Sequence, residues 1–488
     1  MKRYERHADA LAQLIHSGAL RPGDRMPSVR ETSRTRGISP STVFAAYYLL
    51  EAQGLIHARP RSGYYVSGAR PAAPGGERPA EPLPSQPAST STGVAISDLV
   101  FEVLGQTRDS TLVPLGSAFP GPELFPLERL ARCLSGGMRR LDPASIVQSL
   151  PPGDERLRQQ IALRYGLHGT AVEVEEILIT NGAMEALNLC LEAVTHPGDV
   201  VVVESPTFYA ALQTLERLNL QALEIATHPR DGIDLAALAE ALARQPPDQP
   251  VKACWLMPSF QNPLGSLMPE GKKRELVALL ARYGVPLIED DVYGELHYGP
   301  QRPLPAKAFD TQGLVMHCSS FSKNLAPGYR VGWVAAGRYA TAVQRLKLMT
   351  TLSAATPSQL ALSEYLAQGG YDRHLRQLRR SLAEQQAIAL NAVAAHFPRG
   401  TRVSRPEGGY FLWVELPPAV NALDVHRHAL QHGISLAPGQ LFSADRRFAH
   451  CVRINYGHPA QGRLLPALER VGRLATALLK KELPTLAG

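Results

Sequence analysis

Cysteine is scarce in this chain of 488 residues, with only Cys133, Cys190, Cys254, Cys318 and Cys451, scattered and never in a Cys-x-x-Cys pair. That argues against a disulfide framework and a structural zinc site, and it fits a reducing compartment with no metal expected. Long apolar runs are also missing: no stretch of about 18 apolar residues occurs, so no membrane span is expected. The opening Met-Lys-Arg-Tyr-Glu-Arg-His carries charge without an apolar segment behind it, which leads to the expectation of a cytoplasmic protein. Internal repeats are absent, and a 44% hydrophobic, 19% charged composition excludes fibrous, coiled-coil and wholly disordered classes.

Net charge is small at +7, but it is unevenly placed. Between Met1 and Arg70 there are eleven Lys or Arg against five acids, a surplus of six, which leaves a surplus of one for the rest of the chain. Such an asymmetry points to an N-terminal module that meets a polyanion and a larger remainder that does not. Proline is abundant, at 40 residues, and six prolines fall between Gly68 and Gly93 among Ala, Ser, Thr and Gly. This stretch is expected to be a linker. In extended form its roughly 26 residues span on the order of 75 Å, enough to hold two halves apart or to reach another subunit. The expected division is a first domain over 1–67, a Pro/Ala/Ser-rich linker over 68–93 and a large domain over 94–488.

Before the linker, Ala8, Leu11, Ala12 and Ile15 keep helical spacing up to Gly18. Ser28-Val29-Arg30-Glu31 is a capping box that starts a second helix, ending near Gly37. Ser39 is an N-cap candidate before Pro40, and Val43, Ala46, Tyr47 and Leu50 line one face of a third helix until Gly54. Leu55 to Ala58 and Tyr64 to Val66, joined through Arg59-Pro60-Arg61-Ser62-Gly63, read as a small hairpin. Three helices and a hairpin predict a winged helix-turn-helix.

After the linker, short apolar segments such as Ile177-Leu178-Ile179, Val200 to Val203, Cys254 to Met257, Leu287-Ile288 and Leu314 to Met316 alternate with helical stretches. This pattern predicts a mainly parallel sheet covered on both faces. From about residue 350 the pattern changes to a smaller α+β lobe, with strands at Gly409 to Val414 and Cys451 to Ile454. In an open α/β sheet the ligand crevice lies beyond the carboxyl ends of the strands. Three such ends here run into Pro258-Ser259-Phe260-Gln261-Asn262-Pro263, Glu289-Asp290-Asp291-Val292-Tyr293 and Ser319-Ser320-Phe321-Ser322-Lys323, with Arg330 seven positions on. Singly, such a lysine is ordinarily solvated surface and paired aspartates ordinarily cap a helix. It is the combination in this order that carries weight.

In that order the residues from roughly Leu112 to the C-terminus resemble a fold-type I pyridoxal-phosphate enzyme of the aminotransferase class. Met26-Pro27-Ser28-Val29-Arg30-Glu31, Ser39-Pro40-Ser41-Thr42-Val43 and Gly54-Leu55-Ile56 resemble the GntR winged-helix signature, and the whole chain is similar to a MocR-type transcriptional regulator. The resemblance implies that Lys323 forms the Schiff base with the pyridoxal phosphate aldehyde, that Asp290 pairs with the pyridine nitrogen, and that Asn262 and Tyr293 bind the ring hydroxyl. Ser320, Ser322, Arg330 and the backbone N–H groups of Ala183 and Met184 would hold the phosphate. Phe208 would stack on the ring in preference to Tyr209, Arg453 would bind a substrate or effector carboxylate, and Asp291 would be a cap or a supporting partner. Arg30, Ser41, Thr42, Arg59 and Arg61 are the expected DNA contacts. The sequence departs from the family at Met184, at Gln148 where relatives place a tyrosine reaching the neighbouring subunit's phosphate, and at Pro40 where Arg is commoner.

Two functions are open at this point. In one, a homodimer binds a double-stranded DNA operator and senses an amino acid or amine through aldimine exchange at Lys323. In the other, the large domain is a working aminotransferase with an accessory DNA-binding domain. A vestigial site that binds no pyridoxal phosphate is the blandest alternative.

Overall fold

A computed structural model describes the chain apart from residues 1–2, 17–19, 21–22, 53–54, 60–61, 67–78, 106–110, 140, 142–149, 247–248, 459–461 and 485–488. It divides into two compact units, Met1–Gly76 and Glu77–Gly488.

The first unit holds helices Arg3–His16, Val29–Arg36 and Pro40–Ala52 and the antiparallel pair Ile56–Arg59 with Gly63–Val66. Local chemistry sets these limits. Ser28 Oγ accepts from the Glu31 N–H at 3.2 Å, Gly37 closes that helix at φ 60°, and Ser39 Oγ accepts from the Thr42 N–H at 3.2 Å. Val43, Ala46, Tyr47 and Leu50 are fully buried against Ala8, Leu11, Met26, Ile56 and Val66. Tyr47 remains satisfied inside this small core because its hydroxyl donates to the Pro27 carbonyl at 2.8 Å.

In the second unit the main sheet runs in the order Thr92–Gly93, Gln221–His228, Val200–Ser205, Val251–Leu256, Leu287–Asp290, Val315–Ser320, Gly332–Ala335, Ile177–Thr180, with Gly232–Ile233 paired to Gln221–His228. The five strands from Gln221–His228 to Val315–Ser320 are mutually parallel. Gly332–Ala335 was not anticipated from the sequence. It runs antiparallel to both of its neighbours. The chain has only residues 321–331 in which to return from Val315–Ser320, too few for the helical crossover that parallel pairing requires.

The smaller lobe is an antiparallel sheet ordered Arg402–Val403, Phe411–Glu415, Cys451–Asn455, Ala437–Pro438. Leu375, Leu378 and Leu382 of helix Tyr371–His396, Val425 of helix Ala422–Gln431 and Val471 of helix Leu464–Leu479 share its core.

The expectation of a free linker over 68–93 needs correction in its second half. Thr92–Gly93 pairs with Gln221 and Ala222 as an edge strand, and Ser85 donates to the Ser205 carbonyl at 2.5 Å while accepting from the Thr227 N–H at 3.0 Å. Earlier in the segment, the Pro79 carbonyl accepts from Arg405 at 2.9 Å, the Ala80 carbonyl accepts from the Val403 N–H at 2.9 Å, and Glu81 pairs with Arg230. Prolines lack N–H donors, yet their carbonyls and the Ser and Glu side chains between them bind well, which composition alone does not reveal. Residues 67–78 of the expected linker lie outside the described residues.

Candidate functional site

The carboxyl ends of the sheet strands bring the polar groups to one edge of the sheet. Asp290 ends Leu287–Asp290, Ser320 ends Val315–Ser320, and Asn181-Gly182 follows Ile177–Thr180.

At one end of this edge an anion cradle forms. The turn Asn181-Gly182 opens helix Ala183–Val194, whose cap residue Gly182 has φ 91° and no side-chain cap, so Ala183 and Met184 present backbone N–H groups at a helix N-terminus. Arg330 donates to Ser322 Oγ at 3.1 Å and to the Asn181 carbonyl at 3.1 Å, and Ser320 Oγ accepts from the Ser322 N–H at 3.4 Å. Gly332 makes the close approach workable. A Cβ there would stand 2.5 Å from the Gly182 carbonyl carbon and 2.7 Å from the Ala183 nitrogen. Behind the turn, Glu185 accepts from the Asn181 N–H at 2.6 Å and from buried Lys347 at 2.7 Å.

At the centre, the Lys323 ammonium donates to the Ala118 carbonyl at 2.8 Å and lies 3.7 Å from the centroid of the Phe119 ring. Desolvation, reinforced by the positive charges of Arg453 and Arg330 and opposed by Asp290, pushes its pKa down to about 7. Asp290 is buried, and its Oδ1 has no hydrogen-bond partner among the described residues. Burial, with the charge of Asp291 added, pushes its carboxyl up to about 7. The carboxyl is otherwise held by the Val292 N–H and Trp255, so one buried oxygen is left over, and a cationic group such as a protonated pyridine would satisfy it. Asn262 Nδ2 lies 3.4 Å from the Tyr293 hydroxyl, and Tyr293 packs edge-on to Tyr410 and Phe411. Phe208 is half-buried at the start of helix Tyr209–Arg217, its ring 4.7 Å from that of Tyr209.

At the far end, Arg453 is fully buried without a carboxylate partner among the described residues. Its guanidinium donates to Asn262 Oδ1 at 3.1 Å, to the Gly116 carbonyl at 2.6 Å and to the Ser117 carbonyl at 3.1 Å, and it lies 4.3 Å from the centroid of the Phe411 ring. Its Nε is unpartnered, and burial lowers its pKa from the usual value. A buried cation held only by neutral dipoles is ready for an anion with two parallel acceptor oxygens.

Asp291 turns away from these groups. It pairs with Arg302 and accepts from His317 Nε2 at 3.0 Å, while His317 Nδ1 is 2.6 Å from the Tyr165 hydroxyl. Arg302, His317 and Lys273 hold the Asp291 carboxyl down at about 2. The adjacent aspartates thus have opposite fates, because Asp291 meets Arg302 and His317 directly whereas burial outweighs the more weakly felt charge of Lys323 at Asp290.

Of the expected DNA contacts, Arg30 and Ser41 are exposed and Thr42 is half-buried. Arg59 ends a strand of the wing, but its side chain, Arg61 and Gln148 lie outside the described residues. No sequence signal pointed to Tyr410, whose hydroxyl donates to the Ala118 carbonyl at 3.0 Å, or to Phe119 beneath Lys323. Glu204 was also missed. It is buried, accepts from the Met257 N–H at 2.9 Å and is pushed up by burial to about 8; an acid closing the run Val200 to Val203 was its only signal.

Comparisons with known proteins agree with both halves. Residues 138–470 match the family described as aminotransferase class I and II, and residues 3–66 match bacterial regulatory proteins of the gntR family. The HTH-type transcriptional regulator YdcR of Escherichia coli strain K12, itself described as uncharacterized, is 48% identical over 97% of this chain and 99% of its own. Among solved structures, the α-aminoadipate aminotransferase LysN of Thermus thermophilus, complexed with N-(5'-phosphopyridoxyl)-L-leucine, superposes with a TM-score of 0.70 at 29% identity over 80% of this chain and 100% of its own. The multiple substrate aminotransferase of Thermococcus profundus gives 0.71 at 27% identity over 78% and 95%.

Proposed function

Since the chain belongs to the MocR-type regulators, a gntR-family winged helix joined to a class I and II aminotransferase fold, we propose that it is a DNA-binding transcriptional regulator whose larger unit binds pyridoxal phosphate and an amino acid effector. The observation that carries this reading is the gathering of a lysine with its pKa lowered to about 7, a buried carboxyl with one oxygen unpartnered, backbone N–H groups and hydroxyls beside Arg330, and a buried arginine without a carboxylate partner among the described residues, in a chain that also holds a DNA-binding module. When bound, pyridoxal phosphate supplies an aldehyde that condenses reversibly with amines. Lys323, whose lowered pKa leaves a substantial share of neutral amine at pH 7, would be the residue that meets that aldehyde and that an effector amine would compete with. Asp290 would keep the ring nitrogen protonated, and Asn262 and Tyr293 would orient the ring hydroxyl. The Ala183 and Met184 N–H groups, Ser320, Ser322 and Arg330 would hold the phosphate, Phe208 would stack on the ring, and Arg453 would take the effector carboxylate in place of the Gly116 and Ser117 carbonyls.

We assign Arg30, Ser41, Thr42, Arg59 and Arg61 to the DNA interface, the working form to a homodimer and the protein to the cytoplasm. No helix among the described residues is long and apolar enough to cross a membrane. Effector binding switches DNA affinity only to the extent that it favours one of two states.

Purified protein incubated with pyridoxal phosphate and a panel of amino acids and oxo acids is expected to change its absorbance with some amino acids while turning over few times or not at all. Sustained turnover at ordinary enzyme rates would overturn the regulatory reading in favour of a working aminotransferase. Lys323→Ala is expected to abolish the cofactor-dependent absorbance; an unchanged spectrum would assign the site to the vestigial class.

A further inference from the structure

Helix Pro40–Ala52 reads Pro-Ser-Thr-Val-Phe-Ala-Ala-Tyr-Tyr-Leu-Leu-Glu-Ala and contains no Lys, Arg, Asn or Gln. These are the side chains that read guanine or adenine by paired hydrogen bonds in the major groove. The face opposite its buried Val43, Ala46, Tyr47 and Leu50 presents Ser41, Phe44 and Tyr48 instead. Phe44 is 43% exposed and Tyr48 61%, one turn apart with ring centroids 6.4 Å from each other, so two large rings form an apolar ridge in solvent. The ridge begins one turn into the helix, directly after the hydroxyls of Ser39, Ser41 and Thr42, which bond to one another at 2.8 and 2.9 Å.

The surroundings point to the occupant. Arg30, Arg34 and Arg36 of the preceding helix are exposed, and the first 70 residues carry a surplus of six positive charges. An apolar ridge on a module with exposed arginines on the preceding helix complements a polyanion that itself displays apolar groups, and the major groove of DNA displays one kind, the thymine C5-methyl. Arginines that grip phosphates set the register without reading sequence.

We propose that Phe44, buttressed by Tyr48, reads thymine methyl groups in the major groove, so that the bases under this helix are specified by apolar contact in place of an arginine on guanine. This inference rests on the DNA-binding reading above and adds to it a base class and a residue. Its consequence is an operator with fixed A·T pairs beneath each recognition helix.

The test uses full-length protein and the duplex that it selects from a randomised pool, compared with copies carrying deoxyuridine for thymine at single positions, which removes only the methyl. Loss of one buried methyl is expected to weaken binding about threefold to fivefold at one or two positions per half-site. Phe44→Ala is expected to bind the thymine and uracil duplexes equally, while Phe44→Leu keeps part of the difference. Phe44 is solvent-facing, so the variants should melt as the parent does. Insensitivity of the parent protein to every thymine-to-uracil change, or an undiminished difference in Phe44→Ala, overturns the proposal and leaves the DNA-binding reading standing. Failure of the parent to retain any duplex at low salt overturns both. A Phe44→Ala variant that alters the sedimentation of the DNA-free protein while keeping the methyl dependence would make the ridge a contact between copies of the chain and overturn the proposal as well.

Discussion

The two neighbours Asp290 and Asp291 show how little a residue's identity says before its partners are known. Asp291 faces Arg302 and His317 and is held ionised, whereas Asp290 is buried with its Oδ1 unpartnered and is pushed up to about 7. Removing Asp291 would leave buried Arg302 with only the more distant Glu295 carboxylate at 3.6 Å among the described residues, so Asp291→Ala is expected to destabilise the protein by about 3 kcal/mol in denaturant titrations. Lys323 makes a kinetic prediction. Only its neutral amine attacks an aldehyde, and with a pKa near 7 that form grows as pH rises through neutrality. The rate at which apo-protein captures pyridoxal phosphate should therefore climb between about pH 6 and 8 and level off above, where an ordinary surface lysine would still be climbing past pH 9. Stopped-flow absorbance across that range checks it. The sequence placed Lys323, Asp290, Asn262, Tyr293 and Arg453 after or within short apolar strands, and the structure brings them near one another, while the roles given to them are those that the resemblance implies. Phe119 and Tyr410 were not legible, since their roles depend on a loop at 116–119 being folded back over Lys323 by contacts more than 200 residues apart in sequence.

At the scale of elements, periodicity served well where helices and parallel strands are long and apolar. It failed at Gly332–Ala335, whose four residues Gly-Trp-Val-Ala carry neither alternation nor length, and whose direction is decided by the short return from the preceding strand. Gly332 is also where this strand meets the anion cradle. Substituting alanine would press a methyl against the Asn181-Gly182 turn and helix Ala183–Val194. Gly332→Ala is expected to lower pyridoxal phosphate affinity at least tenfold and cost about 1–3 kcal/mol of stability. Equilibrium dialysis together with thermal melts would separate the two effects. A variant that binds the cofactor as the parent does would mean that the cradle yields without penalty.

For the whole molecule, the distribution of charge along the sequence is enough to mark out the DNA-binding module, because six of the seven surplus charges precede residue 71. If Arg30 meets a phosphate, Arg30→Ala should weaken binding to all duplexes alike and reduce the slope of log K against log salt by about 0.9, the contribution of one phosphate. An unchanged slope in a salt titration would remove it from the interface. What composition concealed was the reach of the proline-rich segment, since half of what reads as spacer is fastened to the larger unit. The place of that fastening matters. Pro79 and Ala80 are bonded to Arg405 and Val403 of the smaller lobe, while Glu81 and Ser85 are bonded to Arg230, Ser205 and Thr227 beside the main sheet. Residues 79–85 thus tie the smaller lobe to the main sheet through one short length of chain, so the two are joined by hydrogen bonds from a segment whose composition reads as spacer.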